Sequence, residues 1–270
     1  MAQTSEKGQL IQTYDRFVNN QLGGEKVISI ITATYNAADL LPRLLQSLKA
    51  QTDTDFEWVV ADGGSSDKTL KLLNSAKAEM RDVKISSQPD LGIYDALNRA
   101  VRMSSGEYYI VLGADDMLDT CAVANYKKAI VQTGADLITA NVISDGISRG
   151  ARARPWSWLY GQFAFVSSHA VGLAIRRSLH DRVGWYSLKY PIAADQLFVL
   201  EAIRGGASVS QESFVAGSFD NVSGISSQDV LGSLTEGFRV QIKTGQSLSL
   251  QLVLLVLRIV KHYKRLCVKK

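Results

Sequence analysis

The sequence predicts an α/β fold: a mainly parallel sheet flanked by helices, with further helices at the C-terminal end. Short apolar runs alternate with segments of helical periodicity from residue 27 to about residue 132, the pattern of parallel strands joined by crossover helices. Runs such as VISIITA are apolar throughout, as expected where helices cover both faces of a sheet. At 270 residues, 46% of them hydrophobic, the chain can bury a sizeable core.

The first strand is Val27 to Ala33, between Gly23-Gly24 and Asn36. Leu40, Leu41, Leu44, Leu45 and Leu48 then recur at helical spacing, with Pro42 early enough to sit in a first turn. The second strand, FEWVVAD, ends at Asp62, and Ser65, Ser66 and Asp67 offer N-caps to the helix KTLKLLNSAKAEM. A short strand at Val83 to Ser86, the loop QPDLG, the helix IYDALNRAVRM and the strand EYYIVLG follow. Beyond them come a helix from Cys121 to Gln132, the strand ADLITANVI, a loop SDGISRGARARP and an aromatic patch WSWLYGQFAF, read as an insertion on the acceptor side. A strand-like VGLAI, a helix RRSLHDRVG and a helix from Ala193 to Ile203 complete the body, and the polar loop FDNVSGISSQ reads as a lid or linker. The expected organisation is a lead-in over residues 1–24, a main domain over 25–220 and a basic helical segment over 221–270.

Composition narrows the function. Cys121 and Cys267 lack the number and spacing of a disulfide framework or a zinc site, and the N-terminus lacks the apolar core of a signal peptide, so a cytoplasmic setting is expected. Residues 237–270 carry eight Lys or Arg and no acid, which leaves 22 bases against 26 acids in the rest. A mildly acidic body does not suit an extended nucleic-acid surface. In the tail, Leu248 to Val260 is 13 residues, too short to span a bilayer core of about 30 Å. With Lys261, Lys264, Arg265, Lys269 and Lys270 behind it, this segment suits a helix lying on an anionic membrane, at the cytoplasmic face; the alternative is a helix docked on the body.

Ligands of open α/β sheets bind at the carboxyl ends of the strands. Asn36, Asp62, Asp90 and the pair Asp115-Asp116 all fall just after predicted strands or in the loops leaving them. Adjacent carboxylates suit a divalent cation, which offsets their repulsion; a solvated turn is the alternative. Asp195 opens an otherwise apolar helix, as a cap or as a base. His169 is either a hydrogen-bonded structural residue or a phosphate or metal contact. Arg152 and Arg154 are a substrate-phosphate contact or a solvated loop, and Trp156, Trp158 and Tyr160 alternate like a half-buried strand face or a sugar-stacking surface.

Four pieces in order, SIITATYN, VVADGGSSDKT, DLGIYDALNRAV with SGEYYIVLGADD, and AADQLF, resemble the family 2 glycosyltransferases, the inverting group with the GT-A fold. Within it the stretches DLGIYDALN and YPIAADQLF look like those of bacterial exopolysaccharide and colanic-acid-type sugar transferases. The resemblance implies a nucleotide-diphosphate sugar donor, a glycan or lipid-linked glycan acceptor, and Mg2+ or Mn2+. It implies that Thr34, Tyr35 and Asn36 pack against the nucleotide base, that Asp62 accepts a hydrogen bond from it, and that Asp90 joins the nucleotide-sugar site. Asp115 and Asp116 match the acidic metal motif, one of them also reaching the ribose, and Asp195 matches the general base. Two positions depart from the pattern: Gly113, where many members carry an acid or Asn, and Gln196-Leu197, where many have a tyrosine and a second acid. Those departures keep open a membrane-associated nucleotide-sugar binding subunit without catalysis. A nucleotidyltransferase is the other alternative, though ATYNAADL lacks its glycine-rich phosphate loop.

Overall fold

The computed structural model describes residues 27–151, 154–219 and 229–267. The expected lead-in, Arg152, the Arg154 side chain, Lys269, Lys270 and residues 220–228 of the expected lid lie outside the described residues.

A nine-stranded mixed sheet runs in the order β3-β2-β1-β4-β8-β6-β9-β5, with β7 paired to β6. Its first half is the predicted parallel array: β1 (Ile28–Thr34), β2 (Glu57–Asp62), β3 (Val83–Ser87) and β4 (Tyr108–Val111). Beyond it, β8 (Leu173–Arg176) lies antiparallel to both β4 and β6 (Leu137–Ser144), and β9 (Val209–Ser218) lies parallel to β6. The short strands β5 (Met117–Leu118) and β7 (Ile147–Arg149) pair antiparallel with β9 and β6. The α/β class therefore holds, with parallel crossovers concentrated in the first half.

Side-chain alternation along the strands feeds two cores. Ile28, Ile30, Trp58 and Val60 face one side, under α1 (Leu41–Lys49), α2 (Thr69–Glu79) and α4 (Ala122–Thr133). Ile31, Val59 and Ala61 face the other, under α3 (Ile93–Met103) and α7 (Ala194–Arg204). The aromatic patch is not a strand: α5 (Ser157–Tyr160) lies between 3-10 turns at Arg154–Trp156 and Gly161–Ala164. The capping expectation for α2 also changes. The N-cap position is Lys68, without a side-chain cap bond; Asp67 Oδ1 accepts from the Thr69 N–H at 2.9 Å, and Ser65 and Ser66 bond to Asp62 and Asn36. After the short helix α6 (Leu179–Val183), the chain ends in α8 (Val230–Lys243), α9 (Leu248–Lys261) and α10 (Tyr263–Cys267).

At the amino ends of the parallel strands, fully buried Glu57 gathers neighbouring segments. It accepts from Ser29 Oγ, Ser105 N and Oγ, Gly106 N and Lys84 Nζ, the last at 2.6 Å. Gly106 is required here, because a Cβ would come within 2.5 Å of Ser29 Oγ. Burial pushes the Glu57 carboxyl up, but the Lys84, Ser29 and Ser105 bonds outweigh it and hold the pKa at about 2. A carboxyl depressed on folding stabilises the fold above its unfolded pKa and loses that contribution as pH falls through the folded value. Glu57→Gln should therefore cost about 2 kcal/mol at pH 7 in urea unfolding. The difference from the parent chain should shrink as pH falls from the ordinary glutamate range toward about 2.

Candidate active site

The carboxyl ends of β1, β2 and β3 meet on Asp62, which is fully buried. Its Oδ1 accepts from Thr34 Oγ1 at 3.0 Å and from Ser65 Oγ. Its Oδ2 accepts from Ser87 Oγ at 2.7 Å and from the backbone N–H groups of Gly64 and Ser65. Five donors saturate a carboxylate, so this group ties together the GGSSD turn and its neighbours. Burial raises its pKa, but the Ser65, Ser87 and Thr34 bonds prevail and hold it below the usual carboxylate range. Thr34 is buried with it. Asn36 adopts a left-handed φ of 47°, tolerable for Asn, and its Oδ1 accepts from the Ser66 N–H while Ser65 Oγ accepts from its own N–H.

What this rim leaves open is Tyr35, 68% exposed, beside Gly63 and Asp90. A Cβ on Gly63 would lie 2.7 Å from Asp90 Oδ2 and 3.3 Å from the Tyr35 ring, so glycine lets ring and carboxylate share one notch. Asp90 Oδ1 accepts from Gly92 N.

The second group of expected residues converges on one cavity of about 290 Å³, whose walls include Asp115, Asp116, His169 and Asp195. A tight turn after β4 places the acid pair: Gly113 N–H donates to Asp116 Oδ2 at 2.7 Å. A Cβ on Gly113 would lie 2.8 Å from Asp115 Oδ1 and 3.0 Å from Asp116 Oδ2, so a side chain at this position would press on both carboxylates as they stand here. Asp116 is almost fully buried, and its Oδ1 meets no hydrogen-bond partner among the described residues. Burial raises its pKa to about 7, with the Asp115 charge adding to the rise against the Gly113 bond. An orphaned buried carboxylate oxygen beside a second acid is the donor set a hard cation takes, with phosphate oxygens and water completing its shell. Among the described residues no group of three His, Cys, Asp or Glu side chains is placed to hold a metal ion.

His169 stands 3.7 Å from Asp116 Oδ2 and stacks on Phe219 at 4.0 Å. Burial lowers its pKa to about 4, against the pull of Asp115 and Asp195, so the ring is neutral at pH 7 and makes no ion pair with Asp116. Its Nδ1 accepts from Val171 N at 3.5 Å, which leaves the proton on Nε2. On another wall, Asp195 lies in the first turn of α7 without acting as its N-cap. Buried Glu236 of α8 holds the segment just before the helix, its Oε2 accepting from both Ile192 N and Ala193 N at 2.9 Å. Asp195 Oδ1 instead accepts from Tyr94 Oη at 2.7 Å, and burial outweighs this bond and raises the Asp195 pKa.

Residues 29–192 match the model of glycosyl transferase family 2. The chain belongs to this family. It is 30% identical over 240 residues to a PGL/p-HBAD biosynthesis glycosyltransferase of Mycobacterium bovis, covering 86% of this chain and 90% of the relative. A chondroitin synthase of Escherichia coli is 38% identical over 97 residues, 36% of this chain and 14% of that protein. Among solved structures, the mannosyltransferase PcManGT from Pyrobaculum calidifontis in complex with GDP-Man and Mn2+ superposes with a TM-score of 0.64 at 17% identity, over 97% of this chain and 85% of that one. S. aureus TarS 1-349 in complex with UDP-GlcNAc gives 0.64 at 18% identity, over 90% and 76%. The protein is thus a glycosyltransferase with the GT-A fold.

Several residues of this glycosyltransferase site escaped the sequence reading: Tyr94, Gln162 and Tyr186 line the cavity, Phe219 supports His169, and Glu236 holds the segment before α7. For Tyr94 a signal was present in its place within DLGIYDALN; the others carry no local pattern. The glycine geometry gives a direct test. Gly113→Asp, which restores the acid many relatives carry, should weaken nucleotide-sugar binding by about tenfold or more, because it drives a side chain into both acids. Calorimetric titration of nucleotide sugars checks this; unchanged or tighter binding would count against the turn's role.

Proposed function

We propose that the protein is an inverting glycosyltransferase of bacterial surface-polysaccharide synthesis, moving a sugar from a nucleotide-diphosphate donor to a hydroxyl of a glycan or lipid-linked glycan. The observation that carries this reading is the placement of Asp195 and the Asp115-Asp116 pair on one cavity. Complexes of fold neighbours with UDP-GlcNAc and with GDP-Man and Mn2+ support the donor class. Tyr35 and Asp90 would receive the nucleoside at the open rim, while Asp62 acts behind them by fixing the loop. Asp115 and Asp116 would hold Mg2+ or Mn2+, which when bound offsets charge growing on the leaving diphosphate. His169 would donate its Nε2–H to a phosphate oxygen. Asp195 takes the acceptor's hydroxyl proton as the acceptor oxygen bonds to the sugar carbon and the bond from that carbon to the phosphate oxygen breaks. One displacement by one base inverts the configuration at that carbon.

Asp195→Asn should abolish transfer, by about a thousandfold or more, and leave nucleotide-sugar affinity within a factor of about two. A screen of nucleotide sugars by thermal shift, with and without Mn2+, identifies the donor for this assay. Normal turnover by the Asn variant would remove Asp195 from the mechanism. Binding indifferent to metal, without turnover, would favour a non-catalytic binding subunit.

The C-terminal segment supports a peripheral membrane setting at the cytoplasmic face. Among the described residues no helix is long and apolar enough to cross a membrane. Helix α9 docks by its inner face: Leu254 is buried, Gln251 Nε2 donates to Trp158 O at 2.7 Å, and Arg258 Nη2 donates to Leu159 O at 2.6 Å. Its outer face presents Val253, Val256 and Val260, 58%, 59% and 66% exposed, with exposed Lys261, Lys264 and Arg265 beyond. An apolar stripe followed by bases fits an anionic lipid surface. Val253→Glu combined with Val256→Glu should abolish co-sedimentation with vesicles containing phosphatidylglycerol and leave transfer to a soluble acceptor unchanged. Equal sedimentation of both proteins would mean that this face does not meet lipid.

A further inference from the structure

The Tyr94 hydroxyl lies between two acceptors. It is 2.7 Å from Asp195 Oδ1 and 2.9 Å from the Ile192 carbonyl oxygen, yet a phenol has one proton to donate. Both acceptors are held in place. Asp195 belongs to α7, and the Ile192 peptide is fixed from its amide side by Glu236. Tyr94 itself is buried near the start of α3, with its ring 5.7 Å from that of Tyr186.

We propose that Tyr94 is a positioning residue whose hydroxyl turns with the protonation of the catalytic base, donating to Asp195 while that carboxylate is charged and to the Ile192 carbonyl once it is neutral. This rests on the reading of Asp195 as the base. The physical argument is a competition between acceptors. A charged carboxylate is a much stronger acceptor than a peptide carbonyl, so in the resting enzyme the hydroxyl points at Asp195 and fixes its rotamer. When the acceptor's O–H bond breaks, its proton passes to Asp195 and its electron pair forms the new bond to the sugar carbon. The carboxyl is then neutral and a weaker acceptor than the Ile192 amide. The hydroxyl turns by rotation about one bond, so both protonation states keep it satisfied and none of the surrounding packing moves.

The Gln162 side chain and the Gln196 N–H also bond to Asp195, but the remaining titratable groups around it do not substitute for the Tyr94 donor. Tyr186 bonds to Tyr109, His169 is engaged at Nδ1, Glu236 is taken up by the start of α7, and Asp115 and Asp116 share the cavity as acids. No Lys or Arg lines this cavity among the described residues. Burial raises the Asp195 pKa, and the Tyr94 bond is the largest influence holding it down.

The test is the pH profile of kcat/KM for Tyr94→Phe, which removes one oxygen and no ring volume. Transfer requires ionised Asp195, so activity rises with pH through its pKa. Without the donor the charged form is less stable, and the acidic limb should move up by about one pH unit, with the high-pH plateau within about threefold of the parent and the donor KM unchanged. Replacing Tyr94 by 3-fluorotyrosine, a more acidic phenol and a stronger donor, should move the limb down. An infrared titration of the Asp195 carboxyl band, assigned by its loss in Asp195→Asn, gives the same midpoints without turnover. Transfer surviving in Asp195→Asn would overturn the base reading alone, since the infrared midpoint would still report the Tyr94 bond. Unmoved midpoints in both position-94 proteins, or a loss of activity uniform across pH, would overturn the role of Tyr94.

Discussion

The site is built on one saturated carboxylate. Asp62 is removed from water, and leaving such a group unpaired would cost several kcal/mol. Its five donors come from the ends of β1 and β3 and from the turn after β2, so those segments cannot separate without exposing charge to an apolar core. That constraint fixes the spacing of the loops from which Tyr35 and Asp90 project. The same economy is repeated at the opposite end of the strands, where Glu57 gathers Ser29, Lys84, Ser105 and Gly106. The parallel half is therefore held at both ends by buried acids whose bonds outweigh their desolvation. Loop positions in this protein are set by hydrogen bonds rather than by packing alone.

Asp116 and Asp195 stand in contrast. Asp116 has one buried oxygen that meets no partner among the described residues, and both carboxyls are pushed toward the neutral form by burial, although Tyr94 and Gln162 bond to Asp195. Incomplete satisfaction is tolerated where a ligand or a moving proton completes the set. The acids whose bonds outweigh desolvation, Glu57 and Asp62, tie segments together, while Asp116 and Asp195, in which desolvation prevails, line the cavity.

Much of this was legible in the sequence. The parallel half follows from runs such as VISIITA and EWVVAD, which are buried on both faces and admit few alternatives. Strand β9 did not declare itself, because VSQESFVAGS mixes polar and apolar residues along a half-exposed strand. The aromatic alternation WSWLY imitates a strand period over a stretch too short to separate it from a helix with flanking 3-10 turns. Asp115 and Asp116 could be read from their place after a strand, whereas the turn that Asp62 holds together was not expected of it. The contacts of Tyr94 and Glu236 could not be read in the same way: DLGIYDALN marks Tyr94 itself, but the partners lie 101 and 43 residues distant and no local pattern encodes a contact across such a separation.

That separation has a consequence for how the protein comes into being. The rim at Asp62 and the acids at Asp115 and Asp116 belong to the first 116 residues, whereas Asp195 and the Glu236 that holds the segment before it come from the last third of the chain. Synthesis from the N-terminus therefore makes the Asp62 rim and the Asp115-Asp116 turn before the cavity wall that Asp195 supplies.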